Sequence, residues 1–219
     1  MLIADGAKLD DRLQELVALA GVRGASVHRR PRQELDDRVG PVNHQGVVAE
    51  AGAYPYVDPA DLIARFGVIV ALDHLQDPQN IGILIRSALA FGAAGVLIPA
   101  DRAAEITPAV VNASAGAAEL LSIARVTNLT RELDRMKEGG RWVIGLDTGD
   151  DAVSIAANRL PAPAVLVVGG EGSGMGRLVR ERCDVIVSIP ISPSIDSLNA
   201  ATAASIALFE LERQRLADA

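Results

Sequence analysis

Three residue types that carry much of protein chemistry are scarce in this chain: it has one cysteine, three histidines and an aromatic fraction of 3%. A single thiol, Cys183, excludes an internal disulfide framework and any multi-thiolate metal site. With no partnered base at a defined spacing, it reads as a small buried residue. So few rings remove stacked aromatics as the main means of holding bases. Cations are outnumbered as well, 21 Lys and Arg against 28 Asp and Glu, and the net charge of -7 works against non-specific phosphate binding. An RNA partner must therefore be met by a local patch. The candidate is Arg23, His28, Arg29, Arg30, Arg32 and Arg38, diluted by Glu34, Asp36 and Asp37. No apolar run approaches the ~20 residues of a membrane span, and no basic segment followed by an apolar one opens the chain. A cytoplasmic protein without a membrane partner is expected.

What is abundant is aliphatic. Hydrophobic residues make up 49% of the chain, and Ala, Val, Ile and Leu supply nearly all of that volume, as suits helices covering a mostly parallel sheet. Strand candidates are GVIVALD, GVLIP, SIARV, RWVIGLD, AVLVVG and VIVSIPI. Helical stretches lie between and after them at Asn80–Phe91, Thr107–Ala115, Leu129–Lys137, Arg177–Arg182 and Ser197–Arg215. Ahead of these, residues 1–50 read as a small α/β unit: strand at Leu2–Ala4, helix at Leu9–Ala20, strand at Ala25–His28, helix at Arg32–Val39 and strand at Gly46–Ala49. It begins on a strand and reads as truncated by its first helix. Gly52, Tyr54-Pro55 and Asp58-Pro59 mark residues 51–65 as a linker with a short helix near Asp61, and a larger domain occupies 66–219.

The strand AVLVVG ends in Gly169-Gly170-Glu171-Gly172-Ser173-Gly174-Met175-Gly176, a turn able to bring backbone amides close to a ligand. No register gives glycine at relative positions one, three and six, so a dinucleotide fingerprint is absent. Met175 after Gly174 excludes a P-loop. Gly172-x-Gly174-x-Gly176 after Glu171 nearly matches the glycine motif of Rossmann-like S-adenosylmethionine methyltransferases, but one glycine is missing and few strands follow. A second cluster, Asp77-Pro78-Gln79-Asn80-Ile81-Gly82 with Arg86, starts a helix; Asn80 in the cap region would leave Arg86 projecting from the second turn. A third, Ser197-Leu198-Asn199, opens a helix rich in small residues, where capping and close approach of a ligand are both open. His44 and His74 sit in loops with no carboxylate at a defined spacing and read as ordinary loop histidines.

In this order the three clusters resemble the SpoU or TrmH family of RNA 2′-O-ribose methyltransferases, in the SPOUT superfamily. The likeness runs from about residue 66 to 215: DPQNIGILIRSALAFGA is similar to the first motif, LVVGGEGSGM to the second and IPISPSIDSLNAATAASIALFE to the third. Asn43-His44-Gln45-Gly46-Val47 is similar to the tail of the L30e-like RNA-recognition domain in the branch that methylates 23S ribosomal RNA. The resemblance implies an α/β fold whose parallel sheet carries a C-terminal trefoil knot, and a homodimer with site residues contributed across its interface. It implies S-adenosylmethionine as cofactor, held by Gly169, Gly170, Gly172, Ile189, Leu198 and Asn199, and no metal. Catalytic roles fall on Asn80, Arg86, Glu171, Ser197 and Asn199: Arg86 clamps the target phosphate and hydroxyl, and the others fix the ribose, the arginine and the loops. The expected substrate is a guanosine of 23S ribosomal RNA. The alternatives are a tRNA 2′-O-methyltransferase and a knotted RNA-binding protein without catalysis; the intact motif residues argue against the latter. An acidic protein binding a nucleotide metabolite is the reading from a third class.

Overall fold

A computed structural model describes residues 1–101, 105–170, 172 and 174–217 of the chain. Two compact units are present, Met1–Ala53 and Tyr54–Ala219.

The first unit contains β1 (Leu2–Ala4), α1 (Asp11–Val22), β2 (His28–Arg30), α2 (Arg32–Val39) and β3 (Val47–Val48). β1 is central, paired parallel with β2 and antiparallel with β3. Asp10 starts α1 by accepting the Leu13 N–H at 2.9 Å. The strand expected at 25–28 begins only at His28. The chain first finishes the helix, through the Ala25 N–H to the Ala20 carbonyl at 2.9 Å and a positive φ at Gly24. All three residues of β2 are exposed. His44 is not an ordinary loop histidine. Its Nδ1 accepts the Gly46 N–H at 3.0 Å, which leaves the proton on Nε2, 2.9 Å from Asp36 Oδ1. The ring thus pins a turn in which Gln45 and Gly46 have φ of 52° and 88°.

The second unit contains α3 (Ala60–Ile63), β4 (Ile69–Asp73), α4 (Pro78–Ala90), β5 (Gly95–Pro99), α5 (Pro108–Ala113), β6 (Ile123–Val126), α6 (Leu129–Glu138), β7 (Trp142–Leu146), β8 (Val153–Ser154), β9 (Ala164–Gly169), α7 (Arg177–Arg180), β10 (Val185–Ser188) and α8 (Ala200–Ala217). Its sheet has seven strands in the order β6-β5-β4-β9-β7-β10-β8. Every pair is parallel. Alternation on the central strands divides the core between the two faces. Val70, Leu72, Leu166 and Val168 pack with Ile81 and Leu84 of α4 and with Ala204 and Leu208 of α8. Ile69, Ala71, Val165 and Val167 pack with Leu133 and Met136 of α6 and Val179 of α7. Among the described residues no helix is long and apolar enough to cross a membrane.

The stretch read as a linker belongs to this unit from Tyr54 onward. The Tyr54 hydroxyl donates to the Ala118 carbonyl, and the Tyr56 hydroxyl accepts the Ile106 N–H at 2.9 Å. The Val57 N–H bonds the Ile123 carbonyl at 2.9 Å, and Leu62 is fully buried. Below the sheet, Arg141 is 3% exposed and donates to the carbonyls of Leu62, Ile63, Arg65, Gly67 and Ala164, tying this segment to the starts of β7 and β9. Burial pulls its pKa below that of a free guanidinium.

Burial also pushes the Cys183 thiol up to about 12, from 9.0 for the free group, and raises Tyr54 from 10.0 to about 12. The unfolded thiol ionises first, so the stability that its protonated form carries is intact below pH 9.0 and is lost as pH rises toward about 12. The urea midpoint should therefore fall above pH 9.0, and Cys183→Ala should flatten the start of that decline, before Tyr54 joins in. An unchanged slope in the variant would refute this account.

Candidate cofactor cleft

β9 ends where its backbone folds back on itself. The Gly174 N–H bonds the Gly170 carbonyl at 3.0 Å, with φ of 81° at Gly172 and 61° at Gly174. A Cβ on Gly169 would lie 2.3 Å from the Gly174 carbonyl carbon, and one on Gly170 would lie 2.3 Å from the His74 carbonyl oxygen. The first two glycines therefore make room for the chain itself, whereas the Cβ position of Gly172 points into open space. Glu171, expected to organise the site, lies outside the described residues, as does Ser173.

The turn is anchored from β4. Asp73 is 4% exposed; its Oδ2 accepts the Gly176 N–H at 2.7 Å, and its Oδ1 lies 2.9 Å from His74 Nδ1. His74, at φ 58°, is thus not an ordinary loop histidine: the carboxylate of the residue before it is its partner.

Beside the turn lies a cleft of about 620 Å³ at the carboxyl ends of β7, β9 and β10. All six residues expected around the cofactor line it: Gly169, Gly170, Gly172, Ile189, Leu198 and Asn199. Ser197 lines it too, and so do Leu146, Asp147 and Thr148, which the sequence motifs did not single out.

Asn80 and Asn199, 119 residues apart, meet here: Asn199 Nδ2 donates to Asn80 Oδ1 at 2.9 Å. Asn199 Oδ1 also accepts the Ala201 and Thr202 N–H groups at 3.0 and 3.1 Å, so α8 starts at Ala200 rather than Ser197 and Asn199 is its cap. Asn80 does not cap α4. Asp77 does, accepting the Gln79 N–H at 3.1 Å, and Asn80 sits buried within the first turn. Arg86 stands on the exposed face of α4 and is not among the residues lining the cleft. It is flanked by exposed Ile83 on the same helix, and exposed Ile206 and Phe209 occur on α8, which packs against α4.

A cleft at the carboxyl edge of a parallel sheet, walled by a glycine turn, is where α/β proteins bind small ligands, and its described lining offers no lysine or arginine to pair with a phosphate. Comparison with known proteins narrows the class. Residues 67–209 match the SpoU rRNA Methylase family, and residues 1–57 match the family described as RNA 2'-O ribose methyltransferase substrate binding. An "Uncharacterized tRNA/rRNA methyltransferase" of Mycolicibacterium paratuberculosis is 44% identical over 220 residues, which span 98% of this chain and 71% of that protein. The crystal structure of the SpoU methyltransferase AviRb from Streptomyces viridochromogenes in complex with AdoMet is similar with a TM-score of 0.80 and 30% identity, over 99% of this chain and 82% of that one. The AdoMet-bound rRNA methyltransferase from Sinorhizobium meliloti gives a TM-score of 0.80 and 25% identity, over 97% and 79%.

The chain belongs to the SpoU rRNA methylase family. It is an S-adenosylmethionine-dependent RNA methyltransferase. The cleft suits that cofactor: its volume is in the range of small-molecule sites, bare glycine backbone faces it, and Asp147 is the one ionisable side chain among its described lining residues.

Proposed function

We propose that this protein methylates a ribose 2′-hydroxyl of RNA, on a guanosine of 23S ribosomal RNA. The observation that carries this reading is the Asn80–Asn199 hydrogen bond at 2.9 Å, which joins the first and third motif segments, the latter lining one cleft with the glycine turn of the second. When bound, S-adenosylmethionine supplies a methyl group on a positively charged sulfur. The glycine turn, Ile189, Leu198 and Asn199 hold the cofactor, while Asn80 steadies Asn199, whose side-chain Oδ1 caps α8. Ser197 and Glu171 complete the positioning of the ribose. A guanidinium is a poor proton acceptor, so Arg86 acts as a clamp on the substrate phosphate and hydroxyl, not as the base.

Arg86 serves the cleft of a second copy. Support comes from its place outside its own cleft and from the exposed Ile83, Ile206 and Phe209 on the two packed helices, a surface suited to burial against an identical chain. The C-terminal chain forms a trefoil knot, a reading supported by β10 lying outside β7 while α8 returns to pack on α4. Residues 1–50 act as the L30e-like RNA-recognition unit, supported by the match of 1–57 to a substrate-binding family and by exposed Arg29 and Arg30 on β2.

Mapping 2′-O-methyl groups in RNA from cells with and without this protein tests the reading. One 23S guanosine should lose its ribose methyl group. A change confined to tRNA would overturn the choice of substrate, and a methyl group lost from a base would overturn the chemistry.

A further inference from the structure

Asp147 directly follows β7, the strand between β9 and β10, and therefore stands between the glycine turn at Gly169 and the segment carrying Ile189. Its side chain is 25% exposed and its bonding is incomplete. Oδ1 accepts the Thr148 N–H at 2.8 Å, and Oδ2 has a long contact of 3.4 Å with Arg180 Nε. The two terminal nitrogens of Arg180 are taken by Asp151, at 2.9 and 2.7 Å. A carboxylate offers about four acceptor positions, so Asp147, which lines the cleft, keeps acceptor capacity beyond these two contacts. Opposite it, a Cβ on Gly174 would find only the Asp147 carboxylate, at 3.7 and 4.0 Å, so the glycine leaves a gap beside the acid.

We infer that Asp147 is the acceptor for the ribose hydroxyls of bound S-adenosylmethionine, an assignment that rests on the cofactor reading above. A vicinal diol presents two donors to a carboxylate. An acid at a strand end is the arrangement by which dinucleotide folds recognise a ribose. Apolar Leu146, Val168, Ile189 and Leu198 line the cleft together with Asp147 and suit an adenine, which favours the diol over the cofactor's ammonium group. Hydrogen bonds to a charged acceptor in a partly desolvated cleft are among the stronger ones.

Calorimetry on the full chain with S-adenosylhomocysteine and its 2′,3′-dideoxy analogue tests the assignment. The wild type should prefer the diol-bearing ligand by roughly tenfold to a hundredfold. Asp147→Ala should bind the two ligands alike, and Asp147→Asn, which keeps the volume and one acceptor, should show a smaller preference than the wild type. Preference retained in both variants would overturn the assignment. So would equal weakening of both ligands, the mark of a residue that only supports the fold. A wild type that binds neither ligand would instead bring down the cofactor reading, and this assignment with it.

Discussion

Arg86→Ala should bind S-adenosylhomocysteine as the wild type does and lose methyl transfer by about 10²–10³-fold, the scale on which a positioned charged donor acts. The split follows from geometry: the cleft is lined by the ends of β7, β9 and β10 and the segment before α8, whereas Arg86 projects from the exposed face of α4. Arg86→Lys should rescue little, because an ammonium cannot reproduce the planar pair of donors. Mixing reveals which copy supplies the group. Gly169→Val damages the cleft, since even its Cβ would meet the Gly174 carbonyl carbon at 2.3 Å. If Arg86 serves a second copy, combining the two inactive variants should restore measurable transfer, because a mixed dimer holds one intact cleft facing one intact arginine. No recovery in confirmed mixed dimers would place Arg86 with its own cleft. Normal turnover by Arg86→Ala alone would remove its role altogether.

The largest loss of stability should come from Arg141→Ala. Five carbonyls, of Leu62, Ile63, Arg65, Gly67 and Ala164, share this guanidinium, and the residue is 3% exposed. Removing it leaves buried acceptors without donors and opens a cavity, at a cost on the order of 3–5 kcal/mol. The melting temperature should drop by about 6–20 °C. Arg141→Lys should recover only part of this, with three donors in place of five. A melting temperature within a degree or two of the wild type in the alanine variant would show that water or a local shift satisfies those carbonyls. The site lies at the opposite end of the strands from the cofactor cleft, so ligand affinity at low temperature should be spared.

Much of the fold was legible because β4 and β9 are buried on both faces and therefore read as uninterrupted apolar runs. β8 was not. Two residues, Val153 and Ser154, carry no pattern, and they become a strand only because β10 offers them a free edge. Asp77 and Asn80 illustrate a boundary error of local origin: either could start the helix after Pro78, and the Asp77 carboxylate reaching the Gln79 N–H decided it. The glycine turn was visible, but the reason for Gly169 and Gly170 was not, since it depends on how the turn folds back at Gly174 and on His74 approaching from the end of β4. Asp73, Asp147 and Arg141 went unmarked for the same reason. Each is a single polar residue at a strand end or start, and only tertiary approach tells an anchor or a ligand acceptor from a solvated side chain. The His44 contact with Asp36 likewise forms only once a turn brings the groups together, whereas the His74 partner is the residue before it.

β2 has a consequence for the protein in bulk solution. It is an edge strand of its three-stranded sheet, and His28, Arg29 and Arg30 are all exposed along it. Edges with unpaired backbone groups invite the same strand of another molecule to add on, and adjacent cations oppose that by repulsion. In an acidic chain these arginines would keep the edge from templating aggregates. Their replacement by threonine or valine should lower the concentration at which the protein stays dispersed, even where RNA binding is not being measured.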